Sequence, residues 1–267
     1  MFRRFFPTFL TFALLAGVSH VSASGIGGAD SVDDAVELIS AQLEKERFEI
    51  VGVINHAAAA TSAGLELLPT QVVLFSKTWP DAALNRRSAT MGIDLPQKLL
   101  VWEAADGSIH LKYNAPGYLF DRHDARVLDF LYRNVDKVTG QFGPLDNGLV
   151  SIQSQQSVDA TVAKLLQVLD DAGFNIPFVI DQPAKRPMTL VIFGNPAIGT
   201  QLMQNSRPVA LDLPQKYLVY EDRHGNVHIV WNDPIFVAQR GGVEGLDMLL
   251  NNVANALRNF AENGAQP

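Results

Sequence analysis

The chain has 267 residues, no cysteine, and a formal net charge of −7 from 21 basic and 28 acidic side chains. Its 47% hydrophobic content is enough to build a core, which excludes wholesale disorder. The lack of cysteine excludes disulfides, thiolate metal sites and cysteine nucleophiles. The acidic balance argues against nucleic acid as a partner and against a polybasic membrane-binding patch.

The N-terminal segment has the pattern of a signal peptide. Arg3 and Arg4 precede the apolar run Phe5–Val18, and Val21-Ser22-Ala23 supplies the small residues before a cleavage point. The alternative is a transmembrane anchor, but the run is short against the roughly 20 apolar residues that a span needs. We therefore predict a signal peptide over residues 1–23, export to a bacterial periplasm, and no membrane attachment after cleavage.

The chain contains an internal repeat. Asp94-Leu95-Pro96-Gln97-Lys98 recurs as Asp212-Leu213-Pro214-Gln215-Lys216, and 12 of the 23 positions from 94 to 116 are identical at that offset of 118. Upstream, Ser31-Val32-Asp33 recurs as Ser157-Val158-Asp159. Each repeat has the size of an ordinary domain. We predict a first repeat over residues 29–141, a linker over 142–156 that is rich in Gly, Ser, Gln and Asn, and a second repeat over 157–262.

Each repeat opens with an amphipathic helix, since apolar residues recur at helical spacing from Val32 to Leu43 and from Val158 to Leu169. Ser31 and Asp34 resemble a capping box. Closing helices are predicted from the stripes Val127–Val138 and Leu246–Leu257. The strands predicted between them are Phe48–Ile54, Gln71–Ser76, Lys98–Glu103, Ser108–Tyr113, Phe174–Ile180, Thr189–Phe193, Lys216–Glu221 and Asn226–Trp231.

The predicted fold class is α+β, with two tandem homologous domains, each an antiparallel sheet of about four strands with helices on one face. Val72–Phe75 and Leu190–Phe193 are apolar at every position. A strand with one face exposed to solvent would instead alternate apolar and polar residues. We therefore expect the face of each sheet that helices do not cover to pack against the same face of the other repeat, as an intramolecular pseudo-dimer in a monomeric chain. The alternative is that loops of the same repeat cover each strand.

Several motifs in fixed order resemble the domain of unknown function 302 family. In the second repeat they are Phe193-Gly194-Asn195-Pro196, Gly199-Thr200, Leu202-Met203, Leu211-Asp212-Leu213-Pro214 and Tyr220-Glu221. The first repeat carries Ile54-Asn55-His56, Ala63-Gly64-Leu65, Asp94-Leu95-Pro96 and Trp102-Glu103. The resemblance covers nearly all of the chain after the predicted signal peptide. It implies a small α+β domain that tends to pair, and no established activity.

The two copies depart from the family pattern in different places. The first has Phe75-Ser76-Lys77-Thr78 where the pattern has Phe-Gly-Asn-Pro. The second has Gln182 where the first has His56, and it lacks the alanine-rich segment that follows His56. Two copies that have lost complementary halves of a site retain either one composite site or none.

The candidate ligand-binding residues are His56, Gly194, Asn195, Pro196, Gly199 and Thr200. Backbone N–H groups at the junction of a strand and a helix near Gly194 can hold an anion, although Gly, Asn and Pro are also ordinary turn residues. His56 can act as a base or ligand if a carboxylate such as Glu66 lies close, and is otherwise a capping or surface histidine.

Two other sets of residues favour structural roles. His110 and His228 occupy matching places in hairpin strands, where cross-strand or solvated histidines are more common than a metal site. Asp-Leu-Pro-Gln-Lys precedes a strand in both copies, so we expect Asp94 and Asp212 to bond nearby backbone and Lys98 and Lys216 to be exposed. Glu103 and Glu221, at the ends of those strands, are expected to pair with Lys or Arg.

No catalytic motif, metal site or cofactor site is predicted, because the chain has no nucleophile elbow, no phosphate loop and no zinc motif. The function predicted is that of an exported, non-catalytic protein that binds a small ligand or a periplasmic protein near the interface of the repeats. One alternative is an enzyme whose composite site lies between the repeats. Another is a purely structural or stress-related protein without a pocket.

Overall fold

The computed structural model describes residues 29–125 and 147–267, together with the backbone of residues 18–21. The predicted closing helix of the first repeat, over Val127–Val138, lies outside the described residues. No helix among the described residues is long and apolar enough to span a bilayer.

The first repeat contains one antiparallel sheet in the order β1-β5-β4-β3-β2. Its strands are β1 (Val18–Val21), β2 (Glu49–Asn55), β3 (Thr70–Ser76), β4 (Gln97–Glu103) and β5 (Ile109–Asn114). Its helices are α1 (Val32–Lys45), α2 (His56–Ser62), α3 (Thr78–Arg87), a 3-10 helix (Ala89–Ile93) and α4 (Pro116–Arg122). Strand β1 falls within the predicted signal peptide, so the predicted cleavage would remove it.

The second repeat contains a second antiparallel sheet in the order β6-β10-β9-β8-β7. Its strands are β6 (Leu149–Ser154), β7 (Asn175–Asp181), β8 (Met188–Gly194), β9 (Gln215–Glu221) and β10 (Val227–Asn232). Its helices are α5 (Val158–Asp171), α6 (Pro196–Asn205), a 3-10 helix (Arg207–Asp212), α7 (Pro234–Gly241) and α8 (Asp247–Ala265). The α+β class and the repeat are therefore confirmed, with five strands in each sheet instead of about four.

Local signals in the sequence set most of these boundaries. The Ser31 hydroxyl accepts a hydrogen bond from the Asp34 N–H at 3.1 Å and caps α1 as predicted. Gly107 and Gly225 adopt φ values of 81° and 85° in the two hairpin turns. Residues with a Cβ atom rarely adopt this backbone conformation. The short helix of the second repeat begins at Pro196, because proline is favoured in the first turn.

Strand β6 corrects the prediction of a linker over residues 142–156. Leu149–Ser154 pairs along the full length of β10, so the second sheet begins before Ser157. The polar composition of the segment hid the alternation in which Val150 and Ile152 pack against the helix-covered core.

The helices cover one face of each sheet. In the first repeat Val32, Ala35 and Val36 of α1 pack against Val73 and Val101 of the sheet. The second repeat has a larger core of the same kind, in which α5 and α8 cover strands β8, β9 and β10 and the buried Tyr217 and Trp231. Burial of each large apolar side chain contributes roughly 1.5–3 kcal/mol, so these two clusters hold each repeat together.

The opposite faces of the two sheets share a single core, as the pseudo-dimer prediction requires. Val72, Leu74, Leu100 and Trp102 of the first repeat belong to the same buried cluster as strand residues of the second. Those partners are Met188, Leu190, Ile192, Leu218 and Val230. The uniformly apolar strands are explained, because β3 and β8 each have one face under helices and the other against the sister repeat.

Glycines allow the closest approaches in this shared core. A Cβ atom on Gly52 of β2 would lie 2.5 Å from Cζ of Phe178 on β7, and one on Gly92 would lie 2.9 Å from Cδ1 of Leu218. Gly52 and Phe178 occupy equivalent places in the two repeats, at the offset of 126 that relates the opening helices. The glycine of the first repeat therefore makes room for the phenylalanine ring of the second. Equivalent positions carry different residues, so the packing between the two repeats is not symmetric.

Candidate functional site

The six predicted site residues line one cavity of about 500 Å³ that both repeats border. His56 comes from the first repeat, whereas Gly194, Asn195, Pro196, Gly199 and Thr200 come from the second. We call this space the His56 cavity. The structure thus brings together the two half-motifs that the copies retain.

Capping residues position both halves of the His56 cavity. Asn55 ends β2 and its side-chain oxygen accepts the Ala58 N–H at 2.9 Å, which starts α2 at His56. Asn195 follows β8 and accepts the Ala197 N–H at 3.0 Å at the start of α6. Asn195 itself thus satisfies an N–H group that an anion would need, which favours the capping role over the anion-binding hypothesis at this junction.

His56 is 5% exposed and faces the second repeat. Burial lowers the pKa of His56 to about 4, and the nearby Lys216 charge acts in the same direction, while backbone hydrogen bonds with Ala210 and Leu213 oppose the shift. Gln182, its counterpart in the second repeat, donates to the carbonyl oxygens of Leu95 at 2.7 Å and Gly92 at 3.4 Å. The two side chains therefore meet equivalent loops of the opposite repeat.

Three polar atoms at the His56 cavity lack a hydrogen-bond partner within the described part of the chain. They are Nε2 of His56, Oγ1 of Thr200 and Oε1 of Gln215. Their side chains are at least nine-tenths buried, with exposures of 5%, 1% and 9%. A buried polar atom without a partner costs about 1–3 kcal/mol. The three atoms are themselves enclosed by protein, so they lie behind the cavity wall and do not border its open space.

The rest of the cavity wall is mainly apolar. The helix α8 and strands β2 and β7 supply most of it, and no Asp, Glu, Lys or Arg occurs among the described residues of the lining. The apolar wall consists of Val53, Ile54, Ala59, Phe174, Pro177, Phe178, Ile198, Leu202, Met203, Leu213, Pro214, Leu249, Val253, Ala256, Leu257 and Phe260. An apolar cavity with a few convergent polar atoms is the usual form of a small-molecule site.

Sequence analysis missed Gln215 and the wall formed by α8. Gln215 belongs to the Asp-Leu-Pro-Gln-Lys motif, which we interpreted as a strand entry, and the α8 stripe has the spacing of ordinary core residues. The signal for Gln215 was its place in that motif, two residues after Leu213, whose backbone contacts His56. No sequence signal distinguishes an apolar residue that lines a cavity from one that fills a core.

A buried ionic cluster lies where the two repeats meet. We define it as Asp94, Lys98, Arg122, Asp212 and Arg240, and call it the Asp94–Asp212 cluster. Lys98 Nζ contacts Oδ1 of Asp94 at 2.9 Å and Oδ1 of Asp212 at 3.1 Å, so it joins the two copies. Arg122 binds Asp94 at 2.7 Å, and Arg240 binds Asp212.

Asparagines extend the cluster across the interface. Arg122 donates to Oδ1 of Asn232 at 2.7 Å, and Arg240 donates to Oδ1 of Asn114. The same offset of 118 relates Arg122 to Arg240 and Asn114 to Asn232. Sequence analysis missed the arginines, although continuing the repeat beyond position 116 would have matched them. The positive charges hold the pKa values of Asp94 and Asp212 below their usual range.

The expected exposure of the motif lysines is wrong. Lys98 is 3% exposed and Lys216 is 2% exposed. Lys216 donates to the carbonyl oxygens of Asp212 at 2.8 Å and Pro214 at 3.0 Å, and burial lowers its pKa to about 7. The strand entry lies at the interface of the repeats and not at the surface, so the lysines are enclosed by the sister copy.

The two hairpin histidines have structural contacts. His110 stacks on Trp102 with ring centroids 5.1 Å apart, and His228 stacks on Tyr220 at 5.3 Å. His228 Nε2 also lies 3.1 Å from Oδ2 of Asp222. Across residues 29–125 and 147–267 no group of three or more His, Asp or Glu side chains has the geometry to hold a metal.

Glu103 and Glu221 end strands β4 and β9, where each was expected to pair with a basic residue. Glu221 pairs with Arg186 at 2.8 Å near the surface. No ion pair of Glu103 is found among the described residues.

Fold and cavity together define a tandem α+β protein with one composite cavity between fused copies. The family model for the domain of unknown function DUF302 matches residues 28–141 and again residues 150–264. The chain therefore belongs to this family, as a tandem repeat of its domain.

Relatives of the chain include two named Brucella proteins. It is 38% identical over 104 residues to "Fluoride-specific ion channel FluC 1" of Brucella suis biovar 1 (strain 1330), which is 36% of this chain and 41% of that protein. The match to the protein of the same name from Brucella abortus biovar 1 (strain 9-941) has the same identity and covers 38% of it. The chain spans about two-fifths of the length of these curated relatives.

A solved structure described as uncharacterized conserved protein DUF302 from Bacillus stearothermophilus is also similar. It has a TM-score of 0.40 and 16% sequence identity, and the alignment covers 43% of this chain and 97% of that chain.

Proposed function

We propose that this protein is a non-catalytic binding protein whose His56 cavity holds a small, largely apolar molecule between the two repeats. The observation that carries the proposal is the cavity itself, about 500 Å³ in volume and lined by both copies. That volume lies within the range of roughly 300–1,000 Å³ that small-molecule sites occupy. The apolar wall supplies affinity, at roughly 0.8 kcal/mol per buried methylene group.

The environment of His56 favours binding over acid–base catalysis. A general base works best with a pKa near the operating pH and with a group that orients it. The pKa of His56 is lowered to about 4, and no carboxylate lies among the described residues of the cavity wall. Glu66, the carboxylate considered from the sequence, is exposed and is not part of that wall.

Export to a periplasm is part of the proposal and is supported by the N-terminal sequence. The basic Arg3 and Arg4, the apolar run and Val21-Ser22-Ala23 follow the order of a cleaved signal peptide. N-terminal sequencing of the chain from a periplasmic fraction should begin at Ser24. An intact N-terminus in the cytosolic fraction would contradict export.

Gly199→Leu should abolish ligand binding without unfolding the protein. Gly199 lines the cavity inside α6, and outside its own helix backbone a Cβ there would meet only Cε of Met203, at 3.8 Å. The new side chain therefore occupies the cavity, and leucine is favoured over glycine in a helix by several tenths of a kcal/mol. Titration with the neutral fluorophore Nile red should show saturable binding to the wild type and affinity at least about tenfold weaker in the variant.

Gly117→Leu is the matched control. Gly117 also lies in a helix, α4, and a Cβ there would meet no other atom within 4 Å. It should bind Nile red as the wild type does. Equal binding by all three proteins, or no saturable binding by the wild type, would contradict the proposed function.

A further inference from the structure

We propose that Gly52 is a specificity-determining residue of the His56 cavity, because it leaves room for the ring of Phe178 and so sets the bulk of the ligand that the cavity accepts. Gly52 belongs to β2 of the first repeat and Phe178 to β7 of the second. The inference rests on the proposed function and names the ligand class as bulky apolar molecules, such as those with fused rings.

Phe178 touches both Gly52 and the space of the cavity. The residue lines the His56 cavity, whereas Gly52 does not belong to the described lining. A Cβ atom on Gly52 would lie 2.5 Å from Cζ of the Phe178 ring, 2.7 Å from Cε1 and 3.6 Å from Cε2. Carbon atoms in contact are about 3.5–4.0 Å apart, so an alanine at position 52 would displace the ring by about 1 Å or more.

The cavity is the direction in which the Phe178 ring can move at least cost. Phe178 also packs against the core that the two repeats share. Protein cores are close-packed and resist compression, whereas a cavity offers free volume. A displaced ring therefore takes space that the ligand would otherwise occupy.

The backbone at position 52 does not itself require glycine. Gly52 does not have the positive φ that favours glycine, so a residue with a Cβ atom can adopt its conformation. The pairing register shifts just before Gly52 in β2 and just before Phe178 in β7, and such irregularities redirect side chains. The ring of Phe178, and not the backbone, therefore accounts for the lack of a side chain at position 52.

Two neutral fluorophores of different bulk test the inference. Nile red has a broad body of fused rings, whereas N-phenyl-1-naphthylamine is smaller. In the mature chain, Gly52→Ala should weaken Nile red binding about tenfold and N-phenyl-1-naphthylamine binding less than about twofold, because only the larger probe needs the space that the displaced ring fills. The quantity compared is the ratio of the two dissociation constants, which a smaller folded fraction alone leaves unchanged.

Gly92→Ala is the matched control. A Cβ atom on Gly92 would lie 2.9 Å from both Cδ1 of Leu218 and Sδ of Met188, so this substitution crowds the same shared core. Neither Leu218 nor Met188 belongs to the described cavity lining. Gly92→Ala should therefore leave the ratio of the two dissociation constants at its wild-type value.

A substitution of Phe178 assigns the effect to its ring. In the double variant Gly52→Ala/Phe178→Leu the shorter side chain removes the clash, so the ratio should return toward that of the wild type. This variant also provides the test if Gly52→Ala alone does not fold. Phe178→Leu alone should change the ratio in favour of Nile red, because it enlarges the cavity.

The possible outcomes separate the two proposals. If the wild type binds neither fluorophore saturably, the proposed function fails. If it binds both, the inference about Gly52 is overturned when Gly52→Ala leaves the ratio unchanged or when Gly92→Ala changes it as much. A double variant that does not regain Nile red binding, or a Phe178→Leu variant that does not favour Nile red, would overturn it as well.

Discussion

Replacing Asp94 with asparagine should lower the free energy of unfolding by about 3–5 kcal/mol, the range for removing one member of a buried ion pair. Asp94 is 1% exposed and accepts hydrogen bonds from Lys98 at 2.9 Å, from Arg122 at 2.7 Å and, across 2.9 Å, from the ring of His123. The variant removes the carboxylate charge that pairs with Lys98 and Arg122, and both cations stay buried without it. Urea unfolding monitored by tryptophan fluorescence measures the loss.

Glu221→Gln is the matched control for this carboxylate-to-amide change. The Glu221–Arg186 pair has a similar N···O distance of 2.8 Å, but its side chains are 30% and 43% exposed. Exposed pairs contribute about 0–1 kcal/mol because water and salt screen them. If Asp94→Asn costs no more than Glu221→Gln, the Asp94–Asp212 cluster does not hold the two repeats together.

Acidification should destabilise the protein through His56 by about 3 kcal/mol between pH 7 and pH 4. The pKa of His56 is about 4 in the folded state against 6.5 when unperturbed, so the unfolded chain binds the proton first as the pH falls. Stability from the neutral ring is therefore present above pH 6.5 and is lost progressively down to pH 4. At about 1.4 kcal/mol per pKa unit, the full difference gives the stated magnitude.

Comparison with a His56→Gln variant isolates this contribution. Groups common to both proteins cancel, and Lys216, whose pKa is lowered to about 7, titrates above the His56 window. The unfolding free energy of the wild type should therefore fall relative to His56→Gln as the pH drops from 6.5 to 4. His224→Gln, at an exposed histidine, should follow the wild type. Parallel curves for wild type and His56→Gln would show that His56 is not buried as a neutral base.

Much of the fold could be predicted because the same domain sequence pattern occurs twice in the chain. Each predicted strand lies within a residue or two of its observed bounds. Equivalent strands can be compared between the two repeats, and hairpin glycines such as Gly107 mark the turns. The pseudo-dimer followed from β3 and β8, whose uniformly apolar sequences need cover on both faces. Strand β6 was missed because Ser and Gln dominate its exposed side.

The candidate site could be predicted only in part. His56 and the Gly194–Thr200 segment were identified because each copy retains a different half of the motif, and fusion places those halves at one interface. The buried state of Lys98, Lys216 and the arginines could not be predicted, because a charged side chain usually signals a surface unless its partner is known. Lys98 contacts Asp212 of the other repeat, more than a hundred residues away in sequence. Arg122 and Arg240 likewise each contact an asparagine of the other repeat, whereas Lys216 bonds carbonyl groups of its own repeat.

Methyl NMR of the mature chain during a titration with Nile red tests most directly whether both repeats form one binding site. We expect the methyl resonances of Ala59 in the first repeat and of Val253 in the second to shift together and to yield the same dissociation constant. Gly199→Leu should suppress both shifts. Shifts confined to one repeat, or different dissociation constants for the two methyl groups, would contradict a composite site.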